Sequence, residues 1–317
     1  LLLGIKKTVA TVLPSSLKCF LRKIAGTPKR LRIYCKGTKG SKITKQYLIE
    51  KLRQLGLRQG MVVAVHSSLS RLGFVEGGAQ TVIDALLAVV GEQGTIMMPT
   101  FTGFSQETKP VFDARKTPSR VGAITEAFRK MPNAERSLHP THSCAAIGPK
   151  ASFLLKEQKN ANTLFGKNTP FCRLMEANGF VLCLGIGIEM MSMYHVAEDL
   201  MPLFPVKVYN EGKAFFTVID WSGKKRKIAT TVHDAKAHEM FSVDAGLLEK
   251  ELLKKNAFKK LGIGESYGCL MPAKETVAVL KEMAGKGNTW YKQLNAGGNK
   301  KKWQRNSGIC HSLKSPN

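Results

Sequence analysis

Negative charge is almost missing from one end of this chain: Glu50 is the only acid among residues 1–60, against 15 Lys and Arg. That excludes an acidic solvating segment and gives the stretch +14 of a formal total of +26. Residues 61–200 nearly balance, with 13 basic and 12 acidic side chains, while residues 201–317 carry 21 against 10. The basic excess therefore flanks a near-neutral centre. Such an excess often marks nucleic acid or an anionic membrane as partner. The chain lacks zinc-finger spacing, an RNP-like aromatic motif and a basic region leading into heptads, so nucleic acid is not the expected partner. A solvated basic surface, or attraction to anionic lipid, fits better.

Paired cysteine spacing is absent too. Cys19, Cys35, Cys144, Cys172, Cys183, Cys269 and Cys310 are odd in number and scattered. That argues against a disulfide framework and for reduced thiols in a cytoplasmic protein. No apolar run approaches the roughly 20 residues a membrane span needs. Lys6 and Lys7 follow the apolar start, the reverse of a secretory signal's order, and no small-residue cleavage site stands out. With 317 residues, 43% of them hydrophobic, the chain can bury one large α/β core or two small ones.

What is present begins with a basic extension over residues 1–40. Leu13, Leu17, Phe20, Leu21 and Ile24 recur near helical spacing, with Lys18, Arg22 and Lys23 between them. A surface helix packed on its own domain is the favoured reading. The alternative is an amphipathic helix in peripheral contact with an anionic membrane. An expected domain over residues 41–285 opens with a helix from Thr44 to Leu55, ended by Gly56. Met61 to His66 reads as a buried strand, Ala79 to Val90 as a helix closed by Gly91, and Thr95 to Pro99 as a second strand. This rhythm predicts a mainly parallel sheet covered by helices. Phe180 to Gly185 is another apolar strand, and residues 206–232 alternate as antiparallel hairpins around Trp221-Ser222-Gly223-Lys224. Residues 286–317 are read as a basic, disordered tail.

Histidine is scarce, at 7 residues, yet two fall within Arg136-Ser137-Leu138-His139-Pro140-Thr141-His142-Ser143. Pro140 fixes its own φ and biases His139 towards extended backbone. An imidazole on a stiff turn suits general-base chemistry, because its ordinary pKa lies near neutrality. It equally suits a hydrogen-bonded structural role. His195 and Glu198 are three apart, so on a helix they share one face. A metallohydrolase using His66, His139, His195 and Glu198 is disfavoured, since their spacings match no compact zinc motif.

Four motifs belong together: His66-Ser67-Ser68-Leu69-Ser70-Arg71-Leu72-Gly73, Met98-Pro99-Thr100-Phe101-Thr102, the His139 turn, and His195-Val196-Ala197-Glu198. With Thr117-Pro118-Ser119-Arg120-Val121-Gly122, Phe165-Gly166-Lys167-Asn168-Thr169-Pro170-Phe171 and Leu184-Gly185-Ile186-Gly187, this ordered series over about residues 42–285 resembles the aminoglycoside 3-N-acetyltransferase family. The resemblance implies a three-layer α/β/α fold with a central, mainly parallel (mixed) sheet plus antiparallel hairpins. It implies transfer of acetyl from acetyl-CoA to the 3-amino group of an aminoglycoside, without a metal. His139 is then the base and Glu198 its assistant. Chemically, a base near pKa 6–7 helps an amine reach the thioester carbon, and a carboxylate on the other ring nitrogen fixes the tautomer.

The turn carrying Ser67, Ser68, Leu69 and Gly73 looks like the CoA site, although Ser there also reads as ordinary helix capping. Thr100 and Thr102 lie beyond a strand's carboxyl end, where open α/β sheets bind ligands, and either, or Ser143, is a candidate donor to the thioester oxygen. Arg120 is a candidate for a CoA phosphate. Glu107, Asp113, Glu198 and Asp199 are candidates to line an acceptor pocket. Aminoglycosides are polycations that a strongly basic chain repels at long range, so a less cationic amino sugar, such as a polysaccharide precursor, is the alternative acceptor. A non-catalytic CoA-binding protein is the remaining alternative. Nothing in the sequence fixes the oligomeric state.

Overall fold

Thr44 starts the first helix, α1 (Lys45–Leu55), by accepting a hydrogen bond from the Tyr47 N–H at 3.2 Å. Gly56 stops it at φ 114°, a conformation that favours glycine, and returns its N–H to the carbonyls of Leu52 and Arg53. In this computed structural model, residues 42–103, 111–202, 204, 206, 208–234 and 241–293 are described. The amphipathic pattern in residues 13–24, Glu107, and the segment 294–317 lie outside them.

The chain continues through β1 (Val62–Ser67), α2 (Leu69–Leu72), α3 (Ala79–Val90), β2 (Thr95–Pro99), β3 (Phe112–Asp113), α4 (Ala123–Phe128) and β4 (Glu135–Arg136). Next come β5 (Cys144–Ile147), α5 (Ala151–Leu155), α6 (Pro170–Glu176), β6 (Phe180–Leu184), α7 (Met193–Asp199), β7 (Ala214–Ile219) and β8 (Lys225–Thr230). The last elements are β9 (Phe241–Val243), α8 (Ala245–Lys254), β10 (Lys259–Ile263), β11 (Ser266–Pro272), α9 (Ala273–Gly285) and β12 (Tyr291–Gln293).

Seven strands form the main sheet in the order β10-β11-β6-β1-β2-β5-β4. Parallel pairing is confined to its centre, β6-β1-β2, and the outer strands on both sides run antiparallel. The sheet is therefore mixed, as expected, with a parallel core flanked by antiparallel pairs. Strand side chains alternate between faces, so two cores form. Val62, Ala64, Met97, Val181 and Cys183 join one core with residues of α5, α6, α7, α8 and α9. Val63, Val65, Ile96, Met98, Leu182 and Leu184 join the other with residues of α1, α3 and α4. Three layers result, as expected. Each fully buried Leu, Ile, Val or Met contributes about 1.5–3 kcal/mol.

The expected hairpin is β7-β8, which pairs with β3 in a separate three-stranded sheet. Its turn is organised by the Asp220 carboxylate, which accepts from the N–H groups of Ser222 and Lys224 and from Arg226. Among the described residues, no helix is long and apolar enough to cross a membrane.

The expected tail at residues 286–317 begins too early. Trp290 is fully buried, and β12 pairs antiparallel with β9. The folded body runs at least to Gln293, because one large aromatic anchors a segment whose composition reads as polar. Trp290→Ala is expected to lower unfolding free energy by about 3–5 kcal/mol. An unfolding free energy within about 1 kcal/mol of wild type, by linear extrapolation from urea, would contradict this.

Candidate active site

The carboxyl ends of β1, β2 and β6 point to one edge of the sheet, the position at which open α/β sheets bind ligands. Beyond β2, the Thr100 N–H donates to the Ser143 carbonyl at 2.8 Å and the Thr102 N–H to the Thr141 carbonyl at 3.1 Å. These bonds dock the His139 turn against that edge. The Thr102 hydroxyl donates to the Pro140 carbonyl at 2.7 Å. Below the turn, the buried Arg136 guanidinium donates to the Thr100 and Ser143 hydroxyls, both at 3.1 Å, and to the Thr100 and Thr117 carbonyls. Burial lowers its pKa to about 10, yet it stays charged. The candidate oxyanion donors Thr100, Thr102 and Ser143 are thus committed to holding the turn.

Four imidazoles gather above it. His139 and His142 have ring centroids 6.1 Å apart, His142 and His233 5.3 Å, and His233 and His195 4.5 Å. Phe165 packs against His142, His195 and His233, and Tyr209 stacks on His233. His233 belongs to no motif in the sequence, and only its hairpin position after β8 brings it here.

His139 and His195 differ in what surrounds them. His139 is 2% exposed. Its Nδ1 accepts from the N–H groups of His142 at 3.0 Å and Thr141 at 3.3 Å. The neutral ring must then carry its proton on Nε2, which lies 3.0 Å from the Thr230 hydroxyl oxygen. That hydroxyl in turn donates to the Thr231 carbonyl. Burial lowers the His139 pKa to about 3. Both nitrogens are engaged, and the ring stays neutral.

His195 has the opposite setting. Its Nδ1 is 2.8 Å from Glu198 Oε2, one turn along α7, and its side chain is 18% exposed. Burial works against its charge, but Glu198 outweighs burial and raises the His195 pKa. Burial likewise opposes the Glu198 charge, while His195 and hydrogen bonds from His195 and Tyr291 hold that carboxyl below the ordinary range. The Tyr291 hydroxyl donates to Glu198 Oε1 at 2.6 Å. The expected pairing of Glu198 with His139 is therefore replaced by His195–Glu198. The helix that carries Glu198 already supplies an imidazole at i−3, and the backbone of its own turn occupies His139.

The chain matches the family model for aminoglycoside 3-N-acetyltransferase over residues 64–284. It belongs to the aminoglycoside 3-N-acetyltransferase family. Over 190 residues it is 35% identical to the SPbeta prophage-derived aminoglycoside N(3')-acetyltransferase-like protein YokD of Bacillus subtilis, covering 53% of this chain and 69% of that one. Over 179 residues it is 35% identical to aminoglycoside N(3)-acetyltransferase IX of Micromonospora chalcea, covering 51% and 63%. The alignments thus span about two thirds of these relatives. The fold is similar to that of AAC-IIIb solved as a binary complex with CoASH, with TM-score 0.66 and 25% identity over 78% of this chain and 98% of that one. It is also similar to an AAC(3)-IVa mutant solved with a gentamicin, with TM-score 0.66 and 26% identity over 78% and 90%. The fold and acyltransferase class implied by the sequence resemblance hold.

The residues first considered for CoA separate under this geometry. The Ser67 hydroxyl is buried at the end of β1 and has no hydrogen-bond partner among the described residues. Gly122, at φ 149°, lies beside it, and a Cβ there would sit 3.7 Å from the Ser67 carbonyl. Arg120 is exposed next to Gly103, at the same edge. An orphaned hydroxyl and a surface guanidinium fit a polar linker and its phosphate. Ser68 instead spends its N–H on the Leu184 carbonyl, and Leu69 begins the single turn of α2. Gly73 abuts Glu265, whose charge is wrong for a phosphate.

Among the acids, Asp113 accepts the N–H groups of Arg115 and Lys116 in its own turn, so it organises a loop rather than an acceptor pocket. Asp199 accepts the Phe165 N–H at 2.8 Å, beside the histidine cluster. Burial raises its pKa.

The sign of the pH effect follows from the pair. His195 contributes stability in full below its ordinary value of 6.5 and loses it as pH rises through its raised folded value. Glu198 contributes in full above 4.5 and loses it as pH falls through its lowered value. The ion pair is most stabilising between these limits. Histidine-ring NMR should show His195 titrating above 6.5, and lower than wild type in Glu198→Gln, where only the smaller effect of Asp199 still opposes burial. An unchanged titration in that variant would remove Glu198 as the cause.

Proposed function

We propose that this protein transfers acetyl from acetyl-CoA to an amine of an aminoglycoside, with His195 as base and Glu198 as its partner. The His195–Glu198 hydrogen bond of 2.8 Å carries this reading. With Nδ1–H directed to the carboxylate, Nε2 is the ring's proton-accepting atom. His195 takes the proton of the acceptor amine as nitrogen bonds to the acetyl carbon. The carbon–sulfur bond breaks, and the proton passes to the departing thiolate. Glu198 fixes the tautomer and stabilises the imidazolium while it exists. Ser67 and Arg120 are the residues of this chain best placed to hold acetyl-CoA, which supplies an activated acyl carbon with a thiol leaving group.

His139 keeps a role in this reading, as the neutral imidazole that closes the turn carrying His142. A second acceptor class has its own support. With Asp113 spent in its turn and Glu198 on His195, Asp199 is the one described candidate acid left for a polycation. A less cationic amino sugar fits that balance.

The test is thiol release from acetyl-CoA across an amine panel of kanamycin-type aminoglycosides and neutral amino sugars. His195→Ala is expected to lower kcat by about 10²–10⁴-fold with CoA still binding. His139→Ala is expected to cost less than His195→Ala. The reverse order would return the base to His139. Turnover of neutral amino sugars alone would exclude the aminoglycoside.

A further inference from the structure

Glu198 presents two oxygens inside the protein, and the catalytic pair uses only one. Oε2 meets His195, while Oε1 receives the Tyr291 hydroxyl at 2.6 Å from a residue 93 positions further along the chain. A buried carboxylate with one oxygen unpaired would carry a desolvation penalty and be free to rotate about its last torsion. Rotation would take Oε2 off Nδ1 and loosen the ring.

Tyr291 is itself held. It lies on β12, in register with Val243 of β9, and the neighbouring Trp290 is fully buried and stacked on Phe204 at 5.0 Å between ring centroids. The Asp244 N–H donates to the Trp290 carbonyl at 2.7 Å, and Lys292 pairs with Asp244 at 2.6 Å. Burial, then the Glu198 charge, push the phenol pKa far up, so Tyr291 remains a donor across the working pH range.

We propose that Tyr291 is a positioning residue for acetyl transfer, acting through Glu198: the β9-β12 ribbon delivers its hydroxyl to Oε1 and so fixes the carboxylate that orients His195. The proposal rests on the acetyl-transfer reading above. It also assigns the segment after α9 a place in the active site.

A double-mutant cycle tests it in the full chain with Tyr291→Phe, Glu198→Gln and the pair combined. Phenylalanine keeps the ring that packs beside Trp290, and CoA affinity reports that the fold survives. Tyr291→Phe is expected to lower kcat about tenfold, with the KM for acetyl-CoA within about twofold of wild type. In the Glu198→Gln background the same change should cost nothing further. Equal losses in both backgrounds would overturn the proposal, because a merely structural tyrosine ignores what stands at 198. A second readout needs no turnover. The low-field His195 Nδ1 proton should shift or broaden in Tyr291→Phe, and an unmoved resonance would overturn the coupling. An absence of wild-type turnover would sink the acetyl-transfer reading while leaving that arm to decide.

Discussion

A buried carboxylate is the constraint around which this site is organised. Glu198 is almost fully enclosed, and an ionised carboxyl in such a place must be paired and hydrogen-bonded or it takes up a proton. Two donors meet the demand, one from its own helix and one from the end of the described chain. The local donor sets the chemistry. The distant donor ties helix α7 to the β9-β12 ribbon, so satisfying one charge also closes the fold around it. Removing His195 leaves the charge without its partner, and removing Tyr291 leaves one buried oxygen without its hydroxyl donor, and this is why the group reads as a unit.

The same chain carries a second imidazole tuned the other way. His139 accepts two backbone N–H groups and is fully enclosed, so burial acts alone on its pKa. His195 experiences a similar burial penalty, but a carboxylate 2.8 Å away reverses the direction. Two histidines in one cluster thus have pKa values shifted in opposite directions by their neighbours, the general route by which proteins separate acid–base roles. The motif that names a histidine does not decide how its ring is tuned. Its hydrogen-bond partners do.

Much of the fold was legible because its signals are local. Strand β2 and helix α3 have the limits that the apolar runs and Gly91 indicate, and α1 starts and stops at Thr44 and Gly56 as expected. The antiparallel flanks were less legible, because β4 and the short strands around it leave no long apolar run. For the site, the i,i+3 relation of His195 and Glu198 was visible, but sequence spacing does not choose between two histidines for one carboxylate. His233 and Tyr291 sit in no motif. A local hairpin, β7 with β8, leads to the first, and only the pairing of β9 with β12 over a long separation brings in the second. Trp290 shows the same limit, since one buried indole outweighs the polar composition of its surroundings.

Charge supplies the last step. An enzyme that handles polycations gains from acids near its acceptor, whereas this chain has +26 overall and, among the described candidates, engages Asp113 in its own turn and Glu198 on His195. Exposed charges act weakly beyond about 8 Å at physiological salt, so the net charge governs encounter rather than the bound state. In the acetyl-transfer reading the bound acceptor meets the short-range set around His195, where Asp199 holds Phe165 beside His142, His233 and Tyr209. Among the described residues that set is rich in aromatic faces, with Glu198 and Asp199 among its acids. Those aromatic faces can pack on a sugar ring, a feature both proposed acceptor classes share. The acyl-transfer machinery and the acceptor preference are thus separable properties of one site.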